Sequence, residues 1–304
     1  MARGEQPVVP KGEPRSYYGR PVIKEPVWKP EIPWYFFFGG LAGASASLAA
    51  RARAGGNDRL ARGALLTALV GIGVSPVLLI KDLGRPERFY NMLRVFKVTS
   101  PMSVGTWLVA ATGGATGVAA GCELFGVMPG LRTAAERVAG GLGLPVTTYT
   151  AALLADTAVP IWHEARQELP LVFAGGAAAA AGGAAAMLTP ASAAGPARRL
   201  GLFGAALELG ATRTMEERLG FLAEPYETGE ASTLAKAAKG LTAAGAAVTA
   251  LGGRHRAGAV LGGVLLLAGS ACARWSVFKA GFESARDPKY TSVPQRKSRV
   301  ASGT

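Results

Sequence analysis

The chain has 304 residues, of which 49% are apolar and only 17% charged, with a mean hydropathy of +0.24. A charged fraction so far below the usual quarter excludes an ordinary water-soluble domain and points to lipid. The net charge of +13 reads as basic residues flanking membrane spans, so nucleic acid is set aside as a partner.

Residues 1–33 are polar and Pro-rich, show no secretory pattern, and read as a linker or docking tail. A bilayer core about 30 Å thick needs roughly 20 apolar residues per helix. Eight segments come near that length, and they predict an all-α, polytopic membrane bundle over 34–282 followed by a basic tail over 283–304.

The first span, 34–54, is entered through PWYFFFGG. Trp34 and Tyr35 fit two readings, an interfacial aromatic belt or the wall of a pocket for a flat aromatic ligand. Phe36 to Phe38 are expected to meet lipid. The second span, 62–80, runs into KDLGRPERFY, where five charged residues gather at the junction with the third span, 102–125. Here Gly84 suits a tight turn, Pro86 the first turn of a short helix, and Glu87 that helix's positive end. Asp82 and Arg85 are expected to pair, making the segment a charged cap over the bundle. Small residues four apart, such as Gly39 and Gly43, Gly113, Gly117 and Gly121, or Gly258 and Gly262, suit helices that touch closely in lipid.

The fourth span is placed at 144–162, with Asp156 at its middle and Tyr149 seven residues earlier on the same stripe. The fifth is 170–191. The sixth, 200–215, is the weakest because Glu208 and Arg213 interrupt it, and a seven-span chain is the alternative. The seventh and eighth, 232–252 and 258–280, complete the bundle. Acids at such depth are costly and are kept where they face the interior, a partner or water. Asp156 and Glu208 therefore fit a proton relay or a neutralised structural contact, and Arg274 either partners one of them or snorkels to the surface. With an even number of spans both termini share one side, here called the terminal face. Loop Lys and Arg are equally numerous on the two faces, so sidedness stays open.

Only two histidines, His163 and His255, and two single cysteines, Cys122 and Cys272, are present. The threading puts the histidines on opposite faces, where they cannot share a haem iron, and the cysteines lack C-x-x-C spacing. An internal haem, iron–sulfur cluster or metal site is not expected.

The run LLIKDLGRPERFYNMLRVFKVTSPMSVGTW closely resembles the signature of the NrfD/PsrC family of polysulfide-reductase-type membrane subunits. IPWYFFFGGLAG is similar to that family's first span, and YTAALLADTAVPIWHE with LPLVFAGGAAAAAGG to its fourth and fifth. The likeness runs in order along nearly the whole chain. It implies a haem-free, eight-helix, multi-pass subunit of the cell (inner) membrane that interacts with menaquinone or ubiquinone in anaerobic respiration. The implied partners are a ferredoxin-like iron–sulfur subunit and a molybdopterin catalytic subunit. Matched positions are Asp82, Gly84, Arg85, Pro86, Arg88, Phe89, Ser103, Gly105, Trp107 and Tyr149. One departure is that the first span holds no histidine to bond a quinone carbonyl, leaving Tyr35 or Trp34 to serve.

On this reading Trp34, Tyr35, Arg85 and Tyr149 hold the quinone head beneath the cap, and Asp82, Asp156 and Glu208 are the proton-exchanging candidates. Electrons would cross to a cluster docked on the terminal face, gripped by the acidic loop EERLGFLAEPYETGE and the N-terminal tail. Two rivals remain: a proton or ion translocator that uses Asp156 and Glu208, and a passive anchor for a soluble reductase.

Overall fold

The computed structural model describes residues 21–294, and most of the two predicted tails lies outside them. Eight long helices follow one another: α1 (Glu31–Ala54), α2 (Asp58–Asp82), α3 (Pro101–Phe125), α4 (Pro129–Ala155), α5 (Leu169–Leu188), α6 (Gly195–Leu219), α7 (Gly229–Gly252) and α8 (Arg256–Arg286). No strand occurs among the described residues. The chain is an integral membrane protein. Five helices, α2, α3, α4, α5 and α8, are long and apolar enough by composition to cross a bilayer. The other three depart for visible reasons: α1 is diluted by small residues and buried along most of its length, while α6 and α7 carry charges.

Local chemistry sets the helix ends. Asn57 caps α2 by accepting from the Leu60 amide at 3.2 Å, and Ser100 caps α3 by accepting from Ser103 at 3.4 Å, with Pro101 in the first turn. Gly126, at φ 67°, closes α3 in the left-handed conformation.

The fourth span corrects the sequence expectation. Helix α4 starts at Pro129, fifteen residues before the predicted 144, and stops at Ala155. Arg132, Glu136 and Arg137 made 129–143 look like a loop. In the fold Glu136 is buried and bonded to Arg53 at 3.0 Å, while Glu123 accepts from both Arg53 and Arg132, at 2.9 and 2.8 Å. The far end is cut because Pro160 disfavours helix at the residue before it, and a separate short helix, Pro160–Glu164, follows.

The helices form two four-helix bundles with the same neighbour pattern. In each, the first helix packs mainly on the second and fourth, and the third on the fourth. Both bundles begin at the terminal face, as expected of parallel repeats related by an axis along the membrane normal. Helices α1 and α5 meet at the centre and also touch helices of the other bundle. Within the first bundle the α1 and α4 backbones approach closely at Gly43 and Gly143, where a Cβ on either would stand 2.4 or 2.3 Å from the other's carbonyl oxygen. In the Gly113 series only Gly113 meets another helix, where a Cβ would stand 3.4 Å from Ile72 Cγ1 of α2, while Gly117 and Gly121 have open space beside them.

The two faces differ. On one side the helices are joined by turns of three to six residues. On the terminal face the connections are longer and hold short helices, among them a 3-10 helix at Pro86–Leu93.

Candidate functional site

Near the terminal face, α1 and α4 bring Tyr35 and Tyr149 together, with ring centroids 6.4 Å apart and planes at 72°. Tyr35 is buried. The Tyr149 ring lies flush against the α3 backbone at Gly105, where a Cβ would stand 2.2 Å from Tyr149 Cε2. Ala42, Ile72 and Val109 enclose it from three helices. The Tyr149 hydroxyl is buried without a hydrogen-bond partner, as is Ser75 Oγ on α2. A buried polar group left unpaired costs about 1–3 kcal/mol.

Asp82 ends α2, half-buried, and its Oδ1 accepts from the Lys29 amide at 3.0 Å, tying the segment before α1 to the bundle. The expected Asp82–Arg85 pair is absent. Arg85 is exposed, and no carboxylate among the described residues lies within ion-pair distance of it. Gly84 makes no left-handed turn. The short helix expected after it is there, with Pro86 and Glu87 in its first turn, yet residues 84–91 are all exposed, so the segment flanks the ends of α2 and α3 instead of sealing them.

The PMSVGTW residues anchor that loop. Ser103 Oγ donates to the Val95 carbonyl at 3.0 Å and accepts from the Lys97 amide at 3.0 Å. Trp107 Nε1 donates to the same carbonyl at 3.4 Å. A cleft of about 270 Å³ opens between loop and α3, lined by Asn91, Met92, Val95, Met102, Ser103 and Thr106.

The remaining sequence-predicted residues stand apart from the tyrosines. Trp34 is 40% exposed and meets Trp275 edge-on at 6.0 Å on the outside of the bundle, which matches the belt reading and removes it from Tyr35's side. Phe36 and Phe37, expected in lipid, are core residues instead, because α1 is enclosed by both bundles. Asp156 is not at mid-span: it is the exposed C-cap of α4 at the terminal face. Glu208 is buried at membrane depth in the second bundle, with Arg274 Nη1 3.8 Å from its Oε1. Arg274 is 1% exposed, which overturns the snorkelling alternative. The acids of the predicted gripping loop are largely consumed internally: Glu216 pairs with Lys239, Glu217 with Arg213, Glu224 with Lys289 and Glu230 with Lys279.

His163 lies at the terminal face and His255 opens α8 on the other, as the threading placed them. No cluster of three or more His, Cys, Asp or Glu suited to a metal occurs among the described residues.

Sequence reasoning missed two features. Trp28 stacks on Trp162 at 5.5 Å and 22°, and Trp162 is fully buried, donating to the Val277 carbonyl at 2.7 Å. That stack holds the segment before α1 onto the second bundle. The other is the Arg53, Glu123, Arg132 and Glu136 network, whose signals were Arg53 and Glu123 inside the predicted first and third spans and one acid in the small-residue run TAAERVAGG. At the terminal face, Arg218 donates to Glu168 at 2.6 Å, and this bond holds the Glu168 carboxyl below the usual carboxylate range.

No curated protein matches the chain. A family model described as "Polysulphide reductase, NrfD" matches residues 22–200, more than half of the sequence.

Proposed function

Since the chain belongs to the polysulphide reductase NrfD family, whose members are membrane subunits of redox complexes, we propose that it exchanges electrons between a membrane quinone and a partner iron–sulfur subunit. The partner complex would carry a molybdopterin catalytic subunit, and this chain would supply no haem or cluster. The observation that carries the proposal is the Tyr149 hydroxyl, buried and unpaired within the family-matched residues, with Tyr35 edge-on beside it.

Oxidation of a quinol supplies two electrons and two protons. A low-dielectric site resists unpaired charge, so each proton needs a nearby group to take it. Tyr149 would donate a hydrogen bond to a ring oxygen, and Gly105 leaves room for its ring by having no Cβ in the way. Tyr35 supplies an aromatic edge across the site. Asp82, at the end of α2, is the acceptor for protons leaving toward the terminal face. Arg85 and Arg88, exposed on the adjoining loop, offer a docking partner a positive surface.

The test is quinol oxidation by the complex purified mildly from its native membrane. Tyr149→Phe is expected to lower turnover about tenfold or more, as loss of a positioned donor does, with the iron–sulfur partner still bound. Unchanged turnover in both Tyr149→Phe and Asp82→Asn removes this site from the reaction and favours the passive anchor. One observation favours a second reading, proton translocation: the buried Glu208–Arg274 pair of the other bundle.

A further inference from the structure

In the second bundle a cavity of about 30 Å³ lies among α5, α6, α7 and α8, lined mostly by residues C-terminal to the family-matched 22–200, with room for about two water molecules. Its inner end is Glu208, eleven residues from the terminal-face end of α6 and so about 16 Å deep. Its outer end is Glu216, two turns along the same stripe, paired with Lys239 at 2.6 Å. The Lys239 side chain is 42% exposed, so protein does not enclose this end.

Polar atoms of the lining residues Glu208, Glu216 and Tyr226, and of Arg274 beside Glu208, are left unsatisfied. Glu208 Oε1, Glu216 Oε1, the Tyr226 hydroxyl and Arg274 Nε and Nη1 are all buried without partners. Glu208 and Arg274 are 3% and 1% exposed, and Tyr226 is 4% exposed. At 3.8 Å, Glu208 Oε1 and Arg274 Nη1 form an ion pair too long to be a direct hydrogen bond. Neither partner depends on the other alone. Thr242 donates to Glu208 Oε2 at 3.2 Å, while Arg274 donates to the Phe173 carbonyl at 2.6 Å and lies 4.3 Å over the Phe173 ring. Space for both charged groups exists because position 176 is glycine: a Cβ there would stand 2.6 Å from Glu208 Oε1 and 2.8 Å from Arg274 Nη1.

We propose that this cavity is a hydrated proton port, in which water carries protons between the Glu216–Lys239 mouth and the Glu208 carboxylate. One proton taken from the aqueous side converts Glu208 from carboxylate to neutral acid, and no electron or co-reactant is involved. Arg274 keeps its charge throughout, held by the Phe173 carbonyl and ring. The groups that face Glu208 and bias its protonation are Arg274 from α8, Glu216 on its own helix, Lys239 from α7 and Tyr226 from the connecting segment. The port is separate from the Tyr149 site, so its test reads protonation instead of turnover.

The full-length protein, purified and sealed in lipid vesicles, is examined by infrared difference spectroscopy while pH is changed, in water and in deuterium oxide. The expected result is a carbonyl-stretch band of an un-ionised carboxyl that rises with acidification, shifts on deuteration, and vanishes in Glu208→Gln. Glu216→Gln and Lys239→Met are expected to slow deuteration of that band about tenfold, equivalent to a barrier about 1.4 kcal/mol higher. If Glu208→Gln does not fold, Thr242→Val serves in its place, since losing one bond to Oε2 must shift the band. No pH-dependent band across the range where the protein stays folded means Glu208 is a fixed counter-ion of Arg274 and overturns the proposal. A band whose deuteration ignores both mouth variants overturns the port.

Discussion

A Cβ at position 105 would stand 2.2 Å from the Tyr149 ring, so Gly105→Ala must push that ring off α3. Overpacking of this kind costs about 1–3 kcal/mol. The expected outcome is a lower thermal midpoint together with a loss of quinol turnover, measured on the same purified sample. At Glu136 the direction is the same and the cause electrostatic. Its carboxylate is 1% exposed and accepts from the Arg53 guanidinium, which also pairs with Glu123 and Asp58, so Glu136→Ala removes charged hydrogen bonds without stranding the cation and destabilises by about 1–3 kcal/mol. Glu168 adds a pH dependence. The Arg218 hydrogen bond depresses its pKa in the folded state, so its contribution is full above the unfolded-state pKa and is lost as pH falls through the depressed folded value. In melting curves recorded through that acid interval, wild type should lose this part of its stability, while Glu168→Gln should lack it from the start.

At the scale of the helix, what could be read from sequence depended on where the charges went. Seven helices were placed to within six residues at either end, most closely where apolar length and flanking polarity agree, as in 102–125 against Pro101–Phe125. The fourth was displaced because a local window cannot tell a solvated Glu136 from one neutralised by an arginine on another helix. The same blindness put Asp156 in the membrane and Phe36 in lipid, since both depend on neighbours distant in sequence. Of the candidate site, the PMSVGTW motif and Tyr149 were legible, whereas the Gly105–Tyr149 contact joins two helices and has no local signature. Small-residue spacing was equally ambiguous. It predicts contact at both Gly43 and Gly117, yet only the first touches another backbone. Gly43→Val should therefore force α1 and α4 apart and abolish folded yield in detergent. Gly117→Val, with open space beside it, should change stability by no more than about 0.5 kcal/mol.

Over the whole molecule, one architecture is used twice with different contents. The first bundle carries aromatic rings and an orphan hydroxyl near the terminal face, and the second carries an acid and an arginine at depth. The segment before α1 belongs to both, through the Lys29 bond to Asp82 and the Trp28 stack on Trp162. Asp82→Ala and Trp28→Ala should each raise amide hydrogen exchange over residues 21–30 while leaving the helix cores protected.

The unequal lengths of the connections on the two faces also determine which side a protease can attack. Digestion needs a stretch of chain that can be pulled out of its fold, and turns of three to six residues between packed helices do not provide one. The 83–100 segment does provide one, with exposed Arg85, Arg88, Arg94 and Lys97 in reach. Trypsin added to sealed membrane vesicles should therefore fragment the chain in one vesicle orientation and spare it in the other. The orientation that is cut identifies the compartment toward which this segment faces.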